Sequence, residues 1–352
     1  MAKTYRGLWP LVVSWENLVE AYRRCRRRKR SKPEAAAFEF AWESELLNLQ
    51  RELIDGTYTP GEYVNFYIFE PKQRKISAAP FRDRVVHHAV VRVLELLFER
   101  RFLFDSYACR RGKGTHRALD RAQGYLRRYR YYLKTDVVRF FPNVDHDVLL
   151  GIIGRHIRDE RLMDLIRRII ASGDGVLRDE ATNDLFPGDD LLALLRPRGL
   201  PIGNLTSQFF ANVLLDVADH FIKEERQVPG YVRYADDLLL FGNDKQQLWQ
   251  WRDDLSERLC ALRLKLHRHK THVGRCADGV KFLGLILSRD GRRLPQETIS
   301  RFSRRIRRLR WLRSTRKLSF ARIRVSLKAW LHHAQQTNSV GIRRDLWRRL
   351  NF

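Results

Sequence analysis

The chain has 352 residues, 44% of them hydrophobic, with 68 Lys+Arg against 41 Asp+Glu for a formal net charge of +27. That length suggests two or three domains or subdomains with a sizeable core, and no apolar run is long enough for a membrane span. A fold this basic repels itself unless it meets a polyanion, so nucleic acid is the expected partner and an anionic membrane surface the runner-up.

The N-terminus, residues 1–15, has only a short apolar stretch and no small-residue cleavage site, unlike a signal peptide. Residues 14–55 read as helical, with Ser14 as N-cap and Glu16 and Asn17 in the first turn. The basic run from Arg23 to Lys32 interrupts this region and ends at Pro33. It suits structured RNA or an accessory protein, with nuclear localisation an alternative. A second helical stretch, 33–54, ends at Asp55-Gly56. β-prone pieces follow at Tyr63–Phe69 and Lys75–Ala79, then an apolar helix pattern over 82–101. Tyr131–Val138 is a strand candidate and 146–171 reads as helical. Residues 172–199, rich in Gly, Asp and Pro, read as loop or insertion. A helix over 205–225 opens at Asn204 or Thr206. A hairpin, a helix over 244–263 and a strand pair within 271–287 come next. Residues 295–350 read as helical and strongly basic. Cys25, Cys109, Cys260 and Cys276 are not at metal-ligand spacing, which argues against zinc and for reduced thiols inside a cell. Helices mixed with short strands give an α+β class.

The most informative stretch is Tyr231-Val232-Arg233-Tyr234-Ala235-Asp236-Asp237-Leu238-Leu239-Leu240-Phe241. Two adjacent carboxylates between β-prone runs predict a hairpin with Asp-Asp at its tip. Like charges there repel, and a pair of Mg²⁺ ions is the obvious compensator. A solvated turn is the plain alternative. Asp136 ends another apolar strand, in Leu133-Lys134-Thr135-Asp136-Val137-Val138-Arg139-Phe140-Phe141. It either faces a site or caps the next element. With Asp236 and Asp237 it has the makings of a two-metal phosphoryl-transfer centre.

These boxes, with Gly199-Leu200-Pro201-Ile202-Gly203-Asn204-Leu205-Thr206-Ser207-Gln208 between them, come in the order found in reverse transcriptases. Asp105-Ser106-Tyr107-Ala108-Cys109-Arg110-Arg111-Gly112-Lys113 upstream resembles the fingers motif of bacterial members. Leu264-Lys265-Leu266 through Lys270-Thr271 resembles the palm's lysine motif, and Val280-Lys281-Phe282-Leu283-Gly284 the primer grip. The match spans about residues 60–290. The resemblance implies a right-hand polymerase of fingers, palm and thumb: residues 1–130 as N-terminal helices and fingers, 131–290 as palm with an insertion at about 146–200, and 291–352 as a basic helical thumb. It implies Asp136, Asp236 and Asp237 as catalytic carboxylates, with the Val137 carbonyl as a further ligand to two Mg²⁺ ions. Arg110, Arg111 and Lys113 would hold the incoming triphosphate, Lys270 would sit near the leaving pyrophosphate, and Phe141 would be the steric gate against a ribose 2′-hydroxyl. Gly203 would let the backbone approach the nascent base pair, with Phe282, Leu283 and Gly284 as primer grip.

Where most reverse transcriptases carry Gln-Gly and Ser-Pro, this chain has Ile202-Gly203 and Ser207-Gln208. That form resembles the enzymes of diversity-generating retroelements, which copy a template-repeat RNA, mutate at adenines and work with a small basic accessory protein. The expected setting is the cytoplasm of a bacterium or of a phage's host. Over Arg301–Lys317, Phe302, Ile306, Leu309 and Leu312 share one helix face, while Arg304, Arg305, Arg307, Arg308 and Arg313 cover the rest, as suits a helix facing phosphates. Trp311, Trp330 and Trp347 are expected in the core. The sequence ends soon after this segment, so no RNase H, endonuclease or maturase extension is expected. The alternatives are a retron-like or phage-defence enzyme, an RNA-dependent RNA polymerase, and a non-catalytic RNA-binding scaffold.

Overall fold

The computed structural model describes residues 4–69, 73–315 and 319–348. Four short helices open the chain: α1 (Trp9–Val13), α2 (Trp15–Arg26), α3 (Pro33–Phe40) and α4 (Trp42–Asp55). Ser14 caps α2 as expected, its hydroxyl accepting from the Asn17 amide at 3.2 Å. The expected single helix over 33–54 breaks at Ala41, whose φ of −123° is not helical. A ribbon of β1 (Val64–Ile68) and β2 (Arg74–Ala78) follows, paired antiparallel from Val64↔Ala78 to Ile68↔Arg74. Helix α5 (Phe81–Phe98) then runs through the core and packs on α2. Buried Asn17 fastens this contact, donating to the carbonyls of Val12 and Ala89 at 2.9 and 3.1 Å.

Helix α6 (Thr115–Arg128) escaped the sequence reading, because four arginines and a histidine between 115 and 128 mask its apolar face of Leu119, Ala122 and Leu126. Strand β3 (Tyr131–Asp136) leads through α7 (Phe140–Asn143) to α8 (His146–Gly154) and α9 (Glu160–Ala171). The expected 146–171 helix is therefore two. Asp159 caps α9 and also accepts from the amides of Leu8 and Trp9 at 2.8 and 2.9 Å, which tethers the N-terminus. Residues 172–199 are loop with two 3₁₀ turns, pinned by ion pairs such as Asp189–Arg196 at 2.6 Å and Asp184–Lys265 at 2.6 Å.

After α10 (Leu205–His220) come β4 (Gly230–Tyr234), β5 (Asp237–Gly242), α11 (Lys245–Cys260) and β6 (His272–Arg275). They complete an antiparallel sheet of order β4-β5-β3-β6. Its two faces explain the unbroken apolar run of β5. Leu238 and Leu240 join the large core under the helices, while Leu239 and Phe241 join a second core under α6. The strand pair expected within 271–287 splits between sheets: β6 pairs with β3, whereas β7 (Val280–Phe282) pairs with β8 (Leu285–Leu287), which also pairs with β9 (Arg292–Arg293).

Helices α12 (Gln296–Ser314), α13 (Phe320–Ala334) and α14 (Val340–Arg348) share a small core of Phe302, Ile306, Ile323 and Leu327, with Trp330 stacked on Phe302 at 3.9 Å. Trp311 is not in it. At 56% exposure it faces solvent, because its helical position lies off the Phe302–Ile306 face. The Trp347 side chain lies outside the described residues.

Candidate active site

The β4–β5 turn consists of Ala235 and Asp236, with Ala235 in the left-handed region at φ +54°. Asp237 is already the first residue of β5 and sits directly across the ladder from Asp136, the last residue of β3. Residues opposite each other on antiparallel strands have Cβ atoms roughly 4.5–5.5 Å apart, so two carboxylates meet by register alone. Asp236 joins them from the turn, its carbonyl accepting from the Val137 amide at 3.3 Å. The Asp136 carbonyl accepts from the His267 amide at 2.7 Å, which sets the strand end against the segment carrying Lys270.

This concentration of charge is electrostatically unsettled. Burial, and then the Asp136 charge, push the Asp236 carboxyl up to about 6. Burial likewise raises Asp237, opposed in part by the charges of Lys134, Lys270 and Arg74. The Lys270 ammonium donates to Asp136 Oδ2. Asp136 Oδ1 is buried without a hydrogen-bond partner. Among the described residues, no three His, Cys, Asp or Glu side chains converge as a ready ligand set. Lys270 supplies a cation to Asp136 instead. The chemistry of the donors nevertheless fits divalent metal: all are hard oxygens, and one is orphaned in a buried position.

Beside Asp236 opens a cavity of about 390 Å³ whose walls include Phe141, Ile202, Arg74 and Arg139. Phe141 and Ile202 thus share one cavity wall with Asp236. Gly203 has φ +119°, and a Cβ there would lie 2.9 Å from Ile76 Cγ2. The close approach seen here is to β2. Asn204 completes the junction, its side-chain amide donating to Ser77 O at 2.8 Å and its side-chain oxygen accepting from the Ala79 amide at 3.1 Å.

The expected triphosphate holders are elsewhere. Every N–H of the Arg110 guanidinium is engaged: with Glu99, with the carbonyls of Leu103 and Ser106 at 2.5 and 2.9 Å, and with that of Phe102 at 3.4 Å. None remains for a phosphate. Arg111 lines a separate cavity with Glu20, Arg24, Arg27 and Glu95. The Lys113 ammonium lies 3.3 Å over the Phe104 ring and donates to the Phe104 carbonyl at 2.7 Å. The cations that do line the carboxylate cavity are Arg74 and Arg139. The sequence carried only one hint of Arg74: charge placed at the start of a β-prone piece.

Phe282 is buried, while Leu283 at φ +47° and Gly284 at φ +82° form the β7–β8 turn. The Lys134 ammonium donates to the Lys281 carbonyl at 2.6 Å and so ties this hairpin to β3. On α12, Arg304, Arg305, Arg307 and Arg308 are exposed, and Arg304 and Arg307 line a cavity of about 540 Å³. No helix among the described residues is long and apolar enough to cross a membrane.

Comparison with known proteins shows the family. A family model described as "Reverse transcriptase (RNA-dependent DNA polymerase)" matches residues 70–287, well over half of the chain. Protein YkfC of Escherichia coli (strain K12) is 25% identical over 319 residues, covering 76% of this chain and 80% of that protein. Group II intron-encoded protein LtrA of Lactococcus lactis subsp. cremoris is 26% identical over 183 residues, 51% of this chain but only 28% of LtrA. Nuclear intron maturase 2, mitochondrial, of Arabidopsis thaliana is 27% identical over 143 residues, 36% of this chain and 20% of the maturase. With the family model spanning both carboxylate boxes and the loop between them, the chain belongs to the reverse transcriptase family and is an RNA-directed DNA polymerase, one with group II intron-type relatives.

Proposed function

We propose that this polymerase belongs to a diversity-generating retroelement: it copies a template-repeat RNA into cDNA, with errors concentrated at adenines. The observation that carries the reading is Ile202 in the wall of the cavity beside Asp236. An apolar side chain there offers the incoming nucleotide no hydrogen bond. Readout by hydrogen bonding discriminates strongly, whereas apolar contact does so weakly.

In this reading the β3–β6 sheet is the palm within residues 131–290, residues 1–130 form N-terminal helices and fingers, and 291–352 form a thumb. Asp136, Asp236, Asp237 and the Val137 carbonyl would hold two Mg²⁺ ions, which when bound supply Lewis-acid activation of the primer 3′-hydroxyl and stabilisation of the leaving pyrophosphate. That oxygen forms a bond to the α-phosphorus as the bond to pyrophosphate breaks. Arg74 and Arg139 bind the triphosphate through charge-assisted hydrogen bonds. Phe141 excludes a 2′-hydroxyl, and Ile202 packs on the nucleotide. Lys270 neutralises Asp136 before substrate arrives and then serves the pyrophosphate side. Phe282, Leu283 and Gly284 support the primer. Arg304, Arg305, Arg307 and Arg308 hold the template–primer duplex by its phosphates. A small basic accessory protein completes the complex in a bacterial or phage-infected cytoplasm.

The test is primer extension on RNA with Mg²⁺ and dNTPs, by wild type, Asp236→Ala and Ile202→Gln, with sequencing of the products. The expected result is synthesis abolished by Asp236→Ala, errors opposite adenines in wild type, and fewer of them in Ile202→Gln. Equal error rates in wild type and Ile202→Gln would reject the fidelity argument. Accurate wild-type synthesis would favour the second reading, a retron-like or phage-defence enzyme.

A further inference from the structure

The segment read in the sequence as a triphosphate holder packs behind the catalytic hairpin. Its backbone pairs with β4: the Arg233 amide donates to the Asp105 carbonyl at 2.9 Å, and the Tyr107 amide to the Arg233 carbonyl at 2.9 Å. Arg233 itself is completely buried, as is Asp219 on α10. The two form a fork, Nε to Oδ1 at 2.7 Å and Nη2 to Oδ2 at 2.6 Å. The second Nη2 hydrogen goes to Ser106 Oγ at 3.0 Å. Nη1 donates to Asn212 Oδ1 at 3.0 Å and to the Ala235 carbonyl at 3.2 Å. All five donors are thereby used, and one of them reaches the catalytic turn.

That contact falls where the backbone needs support. Ala235 stands at φ +54°, a left-handed conformation that is unfavourable for a residue with a Cβ. Strained residues persist only where their surroundings over-determine them. Stability does not account for the arrangement, since a buried ion pair is often no better than apolar packing of the same volume. Geometry does account for it. A planar guanidinium can grip Asp219 with two nitrogens and hold Ala235 with the third, whereas an ammonium is a single point.

We propose that Arg233 is a positioning residue for Asp236. Clamped by Asp219, it fixes the Ala235 carbonyl and with it the orientation in which the next residue, Asp236, presents its carboxylate. The proposal rests on the reading of Asp236 as catalytic. Asp219, Asn212 and Ser106 are the supports that keep the guanidinium in register.

The experiment uses the full chain with Arg233→Lys, assayed by steady-state primer extension and by Mn²⁺ binding followed by electron paramagnetic resonance in the absence of nucleic acid. The expected result is a kcat at least tenfold lower, KM for dNTP and for primer–template within twofold of wild type, and Mn²⁺ bound at least fivefold more weakly. Ile166→Ala, in the core face of α9, serves as a destabilised control, and both are assayed well below their melting temperatures. The control keeps wild-type kcat and Mn²⁺ affinity. If Arg233→Lys behaves like the control, Arg233 is structural only and the proposal is overturned. Should Arg233→Lys not fold, Asn212→Ser replaces it, because it removes the second acceptor that keeps Nη1 aimed at the Ala235 carbonyl. There the expected kcat is at least threefold lower at unchanged KM, and a wild-type kcat overturns the proposal. Equal activity of wild type and Asp236→Ala would instead remove the catalytic reading underneath, and the proposal with it.

Discussion

Gly203→Ala tests the junction between the Ile202 loop and the β1–β2 ribbon. At φ +119° this residue lies beyond the left-handed well near +57°, in a region occupied almost only by glycine. Backbone strain of this kind costs roughly 1–3 kcal/mol. An added Cβ would also stand 2.9 Å from Ile76 Cγ2, a separation that real Cβ atoms do not adopt, so the Ile76 side chain or the backbone beside it must shift. Overpacking of that sort adds roughly 1–3 kcal/mol. The sum, about 2–6 kcal/mol, is a large part of a typical stability of about 5–15 kcal/mol. Gly175 is the matched comparison: its φ is +72° and a Cβ added there would meet nothing within 4 Å, so Gly175→Ala faces only the left-handed penalty of roughly 1–2 kcal/mol. Thermal melts of both variants, with dNTP titrations, should show Gly203→Ala clearly the less stable. Its KM for dNTP should also rise, because Arg74 and Ile202 lie on the two sides of the displaced contact. A Gly203→Ala protein that melts no lower than Gly175→Ala would refute the close-approach argument.

Arg74→Ala should raise the KM for dNTP about tenfold, from the loss of a charge-assisted hydrogen bond worth about 1.5 kcal/mol, while Arg110→Lys should lower the melting temperature and leave that KM alone. The opposite pattern would return Arg110 to the triphosphate. Phe141→Ala should raise the relative kcat/KM for ribonucleotides at least tenfold, and an unchanged ratio would withdraw the gate. His220 supplies a pH test. The Asp216 hydrogen bond outweighs burial and, with Glu224 at 2.7 Å, raises its pKa from 6.5 to about 9. A raised histidine stabilises the fold fully below its unfolded value and loses that contribution as pH climbs through the folded one. Wild type should therefore exceed His220→Gln in melting temperature at pH 6, with the gap closing between pH 6.5 and 9. A gap that widens with pH would contradict this.

Much of the molecule follows from local chemistry and was legible in the chain itself. The Tyr234-Ala235-Asp236-Asp237 hairpin is announced by two β-prone runs about a charged pair. The Ser14 cap and the Gly56 helix end follow from backbone preferences that act within a few residues. Charge composition indicated a polyanionic partner without any fold. Long-range packing decided the rest. Register alone sets Asp136 opposite Asp237, and no local signal states that register. Arg110, Arg111 and Lys113 are interchangeable cations in the sequence, yet Glu99 and the carbonyls around it bury the first, and the Phe104 ring captures the third. Arg74 lines the cavity beside Asp236 through tertiary packing, with β2 lying close against Gly203 of the Ile202 loop. Arg233 reads as one more basic residue until Asp219, 14 positions earlier, folds against it. Residue type and short-range order dictated which chemical groups were available, and tertiary contact decided which of them come together, because a charge's surroundings are set by the partners that reach it through space.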